Sequence, residues 1–295
     1  MKILILGANG LIGHKIYQVL NDEFSDVWAH LRKPLRSYKF KNIYNFRKVI
    51  EDLDLSDFTK LKNELDQLTP DLIINAAGIT IRRGINQSMF KTILINSVLP
   101  HFLEKWVSNN KDRRLIHFCT DCVFSGKNGK YKEESIKDAN DIYAKTKSLG
   151  EVSGPQSLTL RGSMIGRELD YHTELLEWFL SQKGKTIKGF TNAIYSGITT
   201  IKMAKFVKYI INNYPTLSGL YNISSIPISK YKLLTLLNMT FNNKVKILKE
   251  PSYSSKKDLI SNKFFAELGL IQPEWEDLLK ELKEDSILNF EYYKK

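Results

Sequence analysis

The stretch Lys2-Ile3-Leu4-Ile5-Leu6-Gly7-Ala8-Asn9-Gly10-Leu11-Ile12-Gly13 decides how this chain folds. Four consecutive apolar residues, Ile3 to Leu6, read as a buried strand that ends at Gly7, and Leu11 to Leu20 then carries apolar residues at helical spacing. Gly7, Gly10 and Gly13 sit at the junction in the spacing G-x-x-G-x-x-G. Glycine permits the tight turn and a close backbone approach, and the helix start presents N–H groups and a positive partial charge, so the junction suits a pyrophosphate. Asn9, Leu11 and Ile12 complete that loop, with Gly10 to Ile12 expected along the phosphates.

Working outward, the alternation continues. Ser25 to Leu31 reads as a second strand, Lys41 to Phe46 as a short third, and Phe58 to Leu68 as a helix closed off by Pro70. Asp71 to Asn75 is a buried strand, Gln87 to Asn109 a long helix, Arg114 to Cys119 a strand, and Ser157 to Arg161 another, after a helix holding Tyr143 and Lys147. Alternating strands and helices with short joints predict an α/β fold, a Rossmann doubly wound parallel sheet with helices on both faces. Beyond Arg161 the rhythm loosens. Helices are expected over Glu174–Gln182, Thr200–Asn213, Lys230–Phe241, Lys263–Leu268 and Trp275–Leu288, with strands at Gly219–Ile223 and Lys244–Leu248. The expected division is a dinucleotide-binding Rossmann domain over residues 1–165, with return segments near 195–225, and a smaller lobe made mainly of 166–295.

At 295 residues, with 42% hydrophobic and 26% charged content, the chain has the size and composition of a globular protein with a full core. Its apolar runs are far shorter than the roughly 20 residues of a membrane span. With the first strand beginning at Lys2, no secretory signal is expected and the cytoplasm is the expected location. The formal net charge of +12 raises a nucleic-acid reading, but the lysines read as scattered, with no basic cluster interleaved with aromatics. Neither a nucleic acid nor a membrane is therefore an expected partner; anionic substrates and cofactors are. Cys119 and Cys122 lie at the end of an apolar strand and not at a helix start, so unlinked thiols are expected and not a redox pair. No metal site is expected.

Several residues carry chemistry. Tyr143 and Lys147 stand four apart, roughly 6 Å of rise on one helix face. An ammonium beside a phenol favours its ionised form, and such a phenol can hand a proton to a carbonyl oxygen as hydride reaches the carbon. Thr120 follows the strand Arg114–Cys119, at the carboxyl ends where open α/β sheets hold ligands, and its hydroxyl can bond the same oxygen. The second strand ends in Arg32-Lys33 with no acid to take the ribose 2′-hydroxyl of NAD, so the two cations can hold the 2′-phosphate of NADP, or form only a solvated turn. Asp54, followed by Leu55, is placed for an adenine amino group, and Asn75-Ala76-Ala77-Gly78 ends its strand in small residues that let a flat cofactor approach.

At these residues the chain resembles the extended short-chain dehydrogenase/reductase superfamily, within it the dTDP-4-dehydrorhamnose reductase group and related nucleotide-sugar 4-ketoreductases. The matching pieces are Gly7 to Gly13, Pro70 to Ala77, Thr120 to Gly126, Tyr143 to Glu151 and Leu160 to Ser163. The resemblance implies Thr120, Tyr143 and Lys147 as the catalytic set, with Lys147 also on the nicotinamide ribose, NADPH as cofactor (NADH being the alternative), and a nucleotide-sugar substrate bound by the C-terminal lobe. Arg82, Arg83, Asn86, Asp121, Val123, Arg161 and Asn192 are the substrate-contact candidates. A homodimer is compatible with it.

The resemblance narrows the reaction to NADPH-dependent reduction of a nucleotide-linked 4-keto-6-deoxy sugar, in cell-surface polysaccharide precursor synthesis. Dehydratases of the superfamily need an extra acid and base after the catalytic Thr, whereas Asp121 is followed here by Cys122. Phe190 to Thr199 and Ser255 to Lys263 depart from the group's usual wording, which leaves the sugar nucleotide open. A nucleotide-sugar epimerase, or a non-catalytic nucleotide-binding regulatory subunit, are the alternative readings.

Overall fold

The computed structural model describes residues 1–80 and 88–294. In chain order the elements are β1 (Ile3–Leu6), α1 (Gly13–Asn21), β2 (Val27–His30), β3 (Val49–Ile50), α2 (Phe58–Leu68), β4 (Leu72–Asn75), α3 (Met89–Ile93), a π-helical turn Leu94–Val98, and α4 (Leu99–Ser108). Then come β5 (Arg114–Cys119), α5 (Ile142–Leu149), β6 (Ser157–Arg161), β7 (Met164–Ile165), α6 (Leu175–Leu180), β8 (Thr186–Tyr195), β9 (Ile198–Thr199) and α7 (Thr200–Asn213). β10 (Gly219–Asn222), β11 (Ile228–Ser229), α8 (Lys230–Phe241), β12 (Lys246–Lys256), α9 (Asn262–Leu268) and α10 (Trp275–Leu288) complete the chain.

Two compact units share these elements. The first comprises Met1–Cys119, Asp141–Leu160 and Ala204–Leu220; the second comprises Thr120–Asn140, Arg161–Met203 and Tyr221–Lys295.

The first unit is built on a seven-stranded sheet of order β10-β6-β5-β4-β1-β2-β3, in which β3, β2, β1, β4 and β5 pair parallel. This is the Rossmann arrangement, with the strand order reversing at β1. The two-residue period of a strand sends Leu4 and Leu6 to one face, where they meet Leu61, Leu65 and Leu68 of α2 and Leu99, Leu103, Trp106 and Val107 of α4. Ile3 and Ile5, also fully buried, go to the other. α2 begins at an Asp57 N-cap whose side chain accepts from Lys60 N–H, and ends at Thr69 in the left-handed region. Pro70 follows it.

Lys41 to Phe46 does not form the expected strand. The segment makes one-turn 3-10 helices at Lys41–Ile43 and Phe46–Lys48, and the third strand is Val49–Ile50. Tyr38, Phe40 and Tyr44 all turn inward: the Tyr38 and Phe40 rings are 5.0 Å apart and Tyr44 packs 4.9 Å from Tyr17 of α1. A strand over this segment would send Tyr44 and Phe46 to one face, whereas Tyr44 is buried and Phe46 exposed.

In the second unit β8 is paired antiparallel with β11 and parallel with β12, whose register shifts between Glu250 and Ser254. β7 and β9 form a separate parallel pair. The expected strand at Lys244–Leu248 is a longer one, and β7, β8, β9 and β11 were not foreseen; their residues alternate too weakly between buried and exposed to announce a strand. Among the described residues no helix is long and apolar enough to cross a membrane.

Candidate active site

In the first unit the glycine loop leaves β1 at the point where strand order reverses. Gly7 has φ +72°, and a Cβ there would lie 2.9 Å from the Ala77 backbone, so the turn after β1 and the chain leaving β4 touch without side chains between them. A Cβ on Gly13 would lie 2.2 Å from the Gly7 carbonyl oxygen. α1 starts there with no side chain capping its N-terminus, leaving its first-turn amides without an intrahelical acceptor. Asn9, Gly10 and Leu11 are half-buried, while Ile12 and Gly13 are buried.

Two side chains absent from the sequence reading hold this loop. His30, at the end of β2, accepts from Gly7 N–H through Nδ1 at 3.2 Å and pairs through Nε2 with Leu53 O at 2.9 Å. Burial lowers its pKa to about 4, outweighing the Leu53 hydrogen bond and the Asp54 charge that favour protonation. The Tyr44 hydroxyl donates to Ala8 O at 2.9 Å. A histidine inside the apolar run Val27 to Leu31 was the available signal for the first.

Arg32 and Lys33 stand exposed just beyond β2, with the Lys33 N–H donating to the Tyr38 hydroxyl at 3.2 Å. Asp54 is not idle: it pairs with Lys91 Nζ and accepts from Ser56 N–H and Oγ. Burial raises its pKa, but Lys91 and Ser56 together bring it down to about 2. Leu55 belongs to the apolar core.

Past β4, Ala76 and Ala77 are half-buried and Gly78 is exposed. Asn75 is buried; its Nδ2 bonds His117 Nδ1 at 3.1 Å and its Oδ1 accepts from Ala77 N–H. Asn96, in the π-helical turn, accepts from Ile79 N–H at 2.9 Å and donates to Ile79 O and to Thr146 Oγ1 of α5. It thereby fixes the loop after β4 to the helix that carries Tyr143 and Lys147. Only a lone Asn in the run Ile93-Leu94-Ile95-Asn96 pointed to it.

α5 starts from Asp141, whose side chain caps Ala144 N–H. Tyr143 is half-buried; Lys147, one turn on, is buried and donates from Nζ to Phe118 O at 2.7 Å. Burial lowers the Lys147 pKa, partly offset by Cys119 and Glu151. Cys119 Sγ lies 3.6 Å from Lys147 O.

In the second unit, Thr120 accepts from Cys122 N–H at 3.1 Å and lies 3.2 Å from Asp121 Oδ1 as donor. Burial raises the Asp121 pKa, against the pull of Lys257 and of hydrogen bonds from Ser163, Thr120 and Cys122. Tyr195 is pushed up by burial and by Asp121, and a Cβ on Gly197 would fall 2.1 Å from its hydroxyl. Ser163, Tyr195 and Lys257 thus gather around Asp121, a grouping the sequence did not reveal. Cys119 and Cys122 are both free thiols, and burial drives Cys122 to about 12, far from a reactive thiolate.

The remaining substrate candidates separate. Val123 is buried. Asn192 is exposed and donates to Pro251 O at 2.9 Å. Arg161, 1% exposed, points into the unit, donating to Glu133 O and Asn222 Oδ1 with its guanidinium over the Phe124 ring. These are the surroundings in which the structure places this substrate-contact candidate. Arg82, Arg83 and Asn86 lie outside the described residues. No group of three potential metal ligands occurs among the described residues.

Comparison with known proteins fits this geometry. Residues 1–171 match the family described as RmlD substrate binding domain. The spore coat polysaccharide biosynthesis protein SpsK of Bacillus subtilis is 24% identical over 302 residues, covering 95% of this chain and 96% of the relative. A dTDP-4-dehydrorhamnose reductase of Aggregatibacter actinomycetemcomitans is 26% identical over 241 residues, covering 77% of this chain and 74% of its own. The crystal structure of dTDP-4-dehydrorhamnose reductase from Bacillus anthracis in complex with NADP superposes with a TM-score of 0.77 at 19% identity, over 97% of this chain and all of that one, a likeness of fold. With more than half its length matched, the chain belongs to the RmlD substrate binding domain family.

Proposed function

We propose that the protein is an NADPH-dependent oxidoreductase that reduces the 4-keto group of a nucleotide-linked 4-keto-6-deoxy sugar, in the cytoplasm, for cell-surface polysaccharide precursors. The observation that carries the reading is Lys147: a buried ammonium held to the Phe118 carbonyl, one helical turn from Tyr143, in the unit that holds the glycine loop. The names borne by the relatives above supply the sugar-nucleotide class.

The described residues fit a dinucleotide. The start of α1 is uncapped, Gly7 and Gly13 leave no room for a side chain, and Arg32 and Lys33 are exposed where a 2′-phosphate would be read. A reduced nicotinamide, when bound, supplies the hydride needed at the sugar C4. Tyr143 gives the proton to the carbonyl oxygen, and the Lys147 charge lowers the cost of the phenolate left behind. Thr120 is the third member of the proposed catalytic set, its Oγ1 accepting from Cys122 N–H and donating to Asp121. Gly10 to Ile12, Asn75 to Gly78 and Asp54 serve the cofactor; Asp121, Val123 and Asn192 serve the sugar nucleotide.

The test is NADPH oxidation by the purified protein across dTDP- and UDP-linked 4-keto-6-deoxy sugars, with the product analysed for a new 4-hydroxyl. Turnover of at least one substrate is expected. Oxidation with none of them overturns the reading.

A further inference from the structure

Between Asp26 and Glu51 the chain contains seven cations, Arg32, Lys33, Arg36, Lys39, Lys41, Arg47 and Lys48, and no carboxylate. The two flanking acids are engaged: Asp26 with Lys48 and Trp28, Glu51 with the Leu35 N–H. The segment is not a loose basic tail. Tyr38, Phe40 and Tyr44 form its buried floor against Tyr17, and short 3-10 turns at Leu35–Ser37, Lys41–Ile43 and Phe46–Lys48 shape it.

With the rings turned inward, the charges face water: Arg36, Lys39, Lys41 and Arg47 are all exposed, and none of the four has an ion pair among the described residues. One aromatic breaks the pattern. Phe46 is 73% exposed, with the Arg47 guanidinium 5.4 Å from its ring centre. These four exposed cations and one exposed ring thus fall within the 17 residues from Arg32 to Lys48.

We propose that this segment is a docking surface for an anionic lipid bilayer: Phe46 enters the headgroup layer and Arg36, Lys39, Lys41 and Arg47 meet lipid phosphates. Clusters of four or more basic residues around an apolar anchor are what the negative leaflet attracts. A single-stranded nucleic acid would need several exposed rings for its bases to stack on, and three of the four aromatics here are buried. The lysines read as scattered along the sequence because buried aromatics intervene between them. The proposal does not rest on the enzymatic reading, and its readout is binding.

The full-length protein, saturated with NADPH so that Arg32 and Lys33 are engaged, is co-sedimented with phosphatidylcholine vesicles with and without phosphatidylglycerol. Binding only to the anionic vesicles, weakening as salt is raised, is expected. Each basic residue near such a surface contributes roughly fivefold in affinity, so the triple variant Lys39→Glu, Lys41→Glu, Arg47→Glu should lose on the order of a hundredfold or more. Phe46→Ser should lose several-fold, and both variants should keep the wild-type melting temperature. Lack of binding to anionic vesicles, or equal binding by the triple variant, overturns the proposal. So does a single-stranded RNA or duplex DNA fragment that binds more tightly than the vesicles at the same salt. If the triple variant melts early, Phe46→Ser alone decides, and undiminished binding by it counts against the surface.

Discussion

His30 holds Gly7: the imidazole Nδ1 accepts the Gly7 backbone N–H at 3.2 Å, while Nε2 faces the Leu53 carbonyl at 2.9 Å. Only the neutral ring with its proton on Nε2 satisfies both contacts, since protonating Nδ1 would set two donors against each other. Its folded pKa of about 4 lies below the ordinary 6.5. The unfolded chain therefore binds more protons between those values, and folding weakens as pH falls through that window. The loss, on the order of 3 kcal/mol, is complete only below the folded pKa. Urea unfolding at neutral and mildly acidic pH should show a shallower acid loss in His30→Gln than in the wild type. His117, whose pKa burial also lowers, accounts for part of what remains. Identical pH slopes would dismiss His30 as the titrating group.

Gly13 and Gly10 should separate stability from cofactor binding. A Cβ at Gly13 meets the Gly7 carbonyl at 2.2 Å, whereas at Gly10 the nearest atom, the same oxygen, is 3.1 Å away. Gly13→Ala should cost about 1–3 kcal/mol and at least tenfold in NADPH affinity. Gly10→Ala should lose affinity with little change in melting temperature. Fluorescence titration and thermal melts on the two variants check this.

Tyr143→Phe removes one hydroxyl from α5, while the Thr146 side chain still bonds Tyr143 O through the unchanged backbone. Turnover should fall by about a hundredfold or more, with the NADPH dissociation constant within about twofold of wild type. Retained turnover would take the proton donor away from Tyr143.

Arg32→Ser with Lys33→Ser should raise the KM for NADPH by about tenfold or more and leave that for NADH nearly unchanged, because only the 2′-phosphate distinguishes the two. Equal effects on both cofactors would place the cations elsewhere than at that phosphate.

Asn96→Ala leaves the Ile79 N–H and carbonyl, together with Thr146 Oγ1, without that partner. Stranding buried polar groups costs about 1–3 kcal/mol each, so a stability loss of at least about 2 kcal/mol is expected in urea titration. Asn96→Asp can restore only the bond from Ile79 N–H and should recover part of it.

The first half of the fold was legible because β1 is a continuous apolar run, β4 and β5 are mostly apolar, and α2 and α4 keep a helical stripe. Lys41 to Phe46 misled because Tyr44 suits a strand as well as it suits the compact floor it forms with Tyr17 and Phe40. The glycine loop and the Tyr143–Lys147 pair were visible as local spacings. His30 and Asn96 were not, since each acts through contacts 17 or more residues away, and a lone polar residue in an apolar run carries no address for its partner. The partners of Arg161, Glu133 and Asn222, were not legible either, because nothing local announces them.

The chain passes between its two units five times, at 119/120, 140/141, 160/161, 203/204 and 220/221. On the ribosome, the nucleotide-binding sheet cannot close when its first five strands emerge. It waits for β10, and by then the other unit is partly made and still lacks everything from Ile223 onward. A fragment cut at the end of the family match, residue 171, would expose an unfinished sheet edge and hold only a minor part of the second unit. Such a piece should aggregate when expressed alone, because neither unit is complete in it.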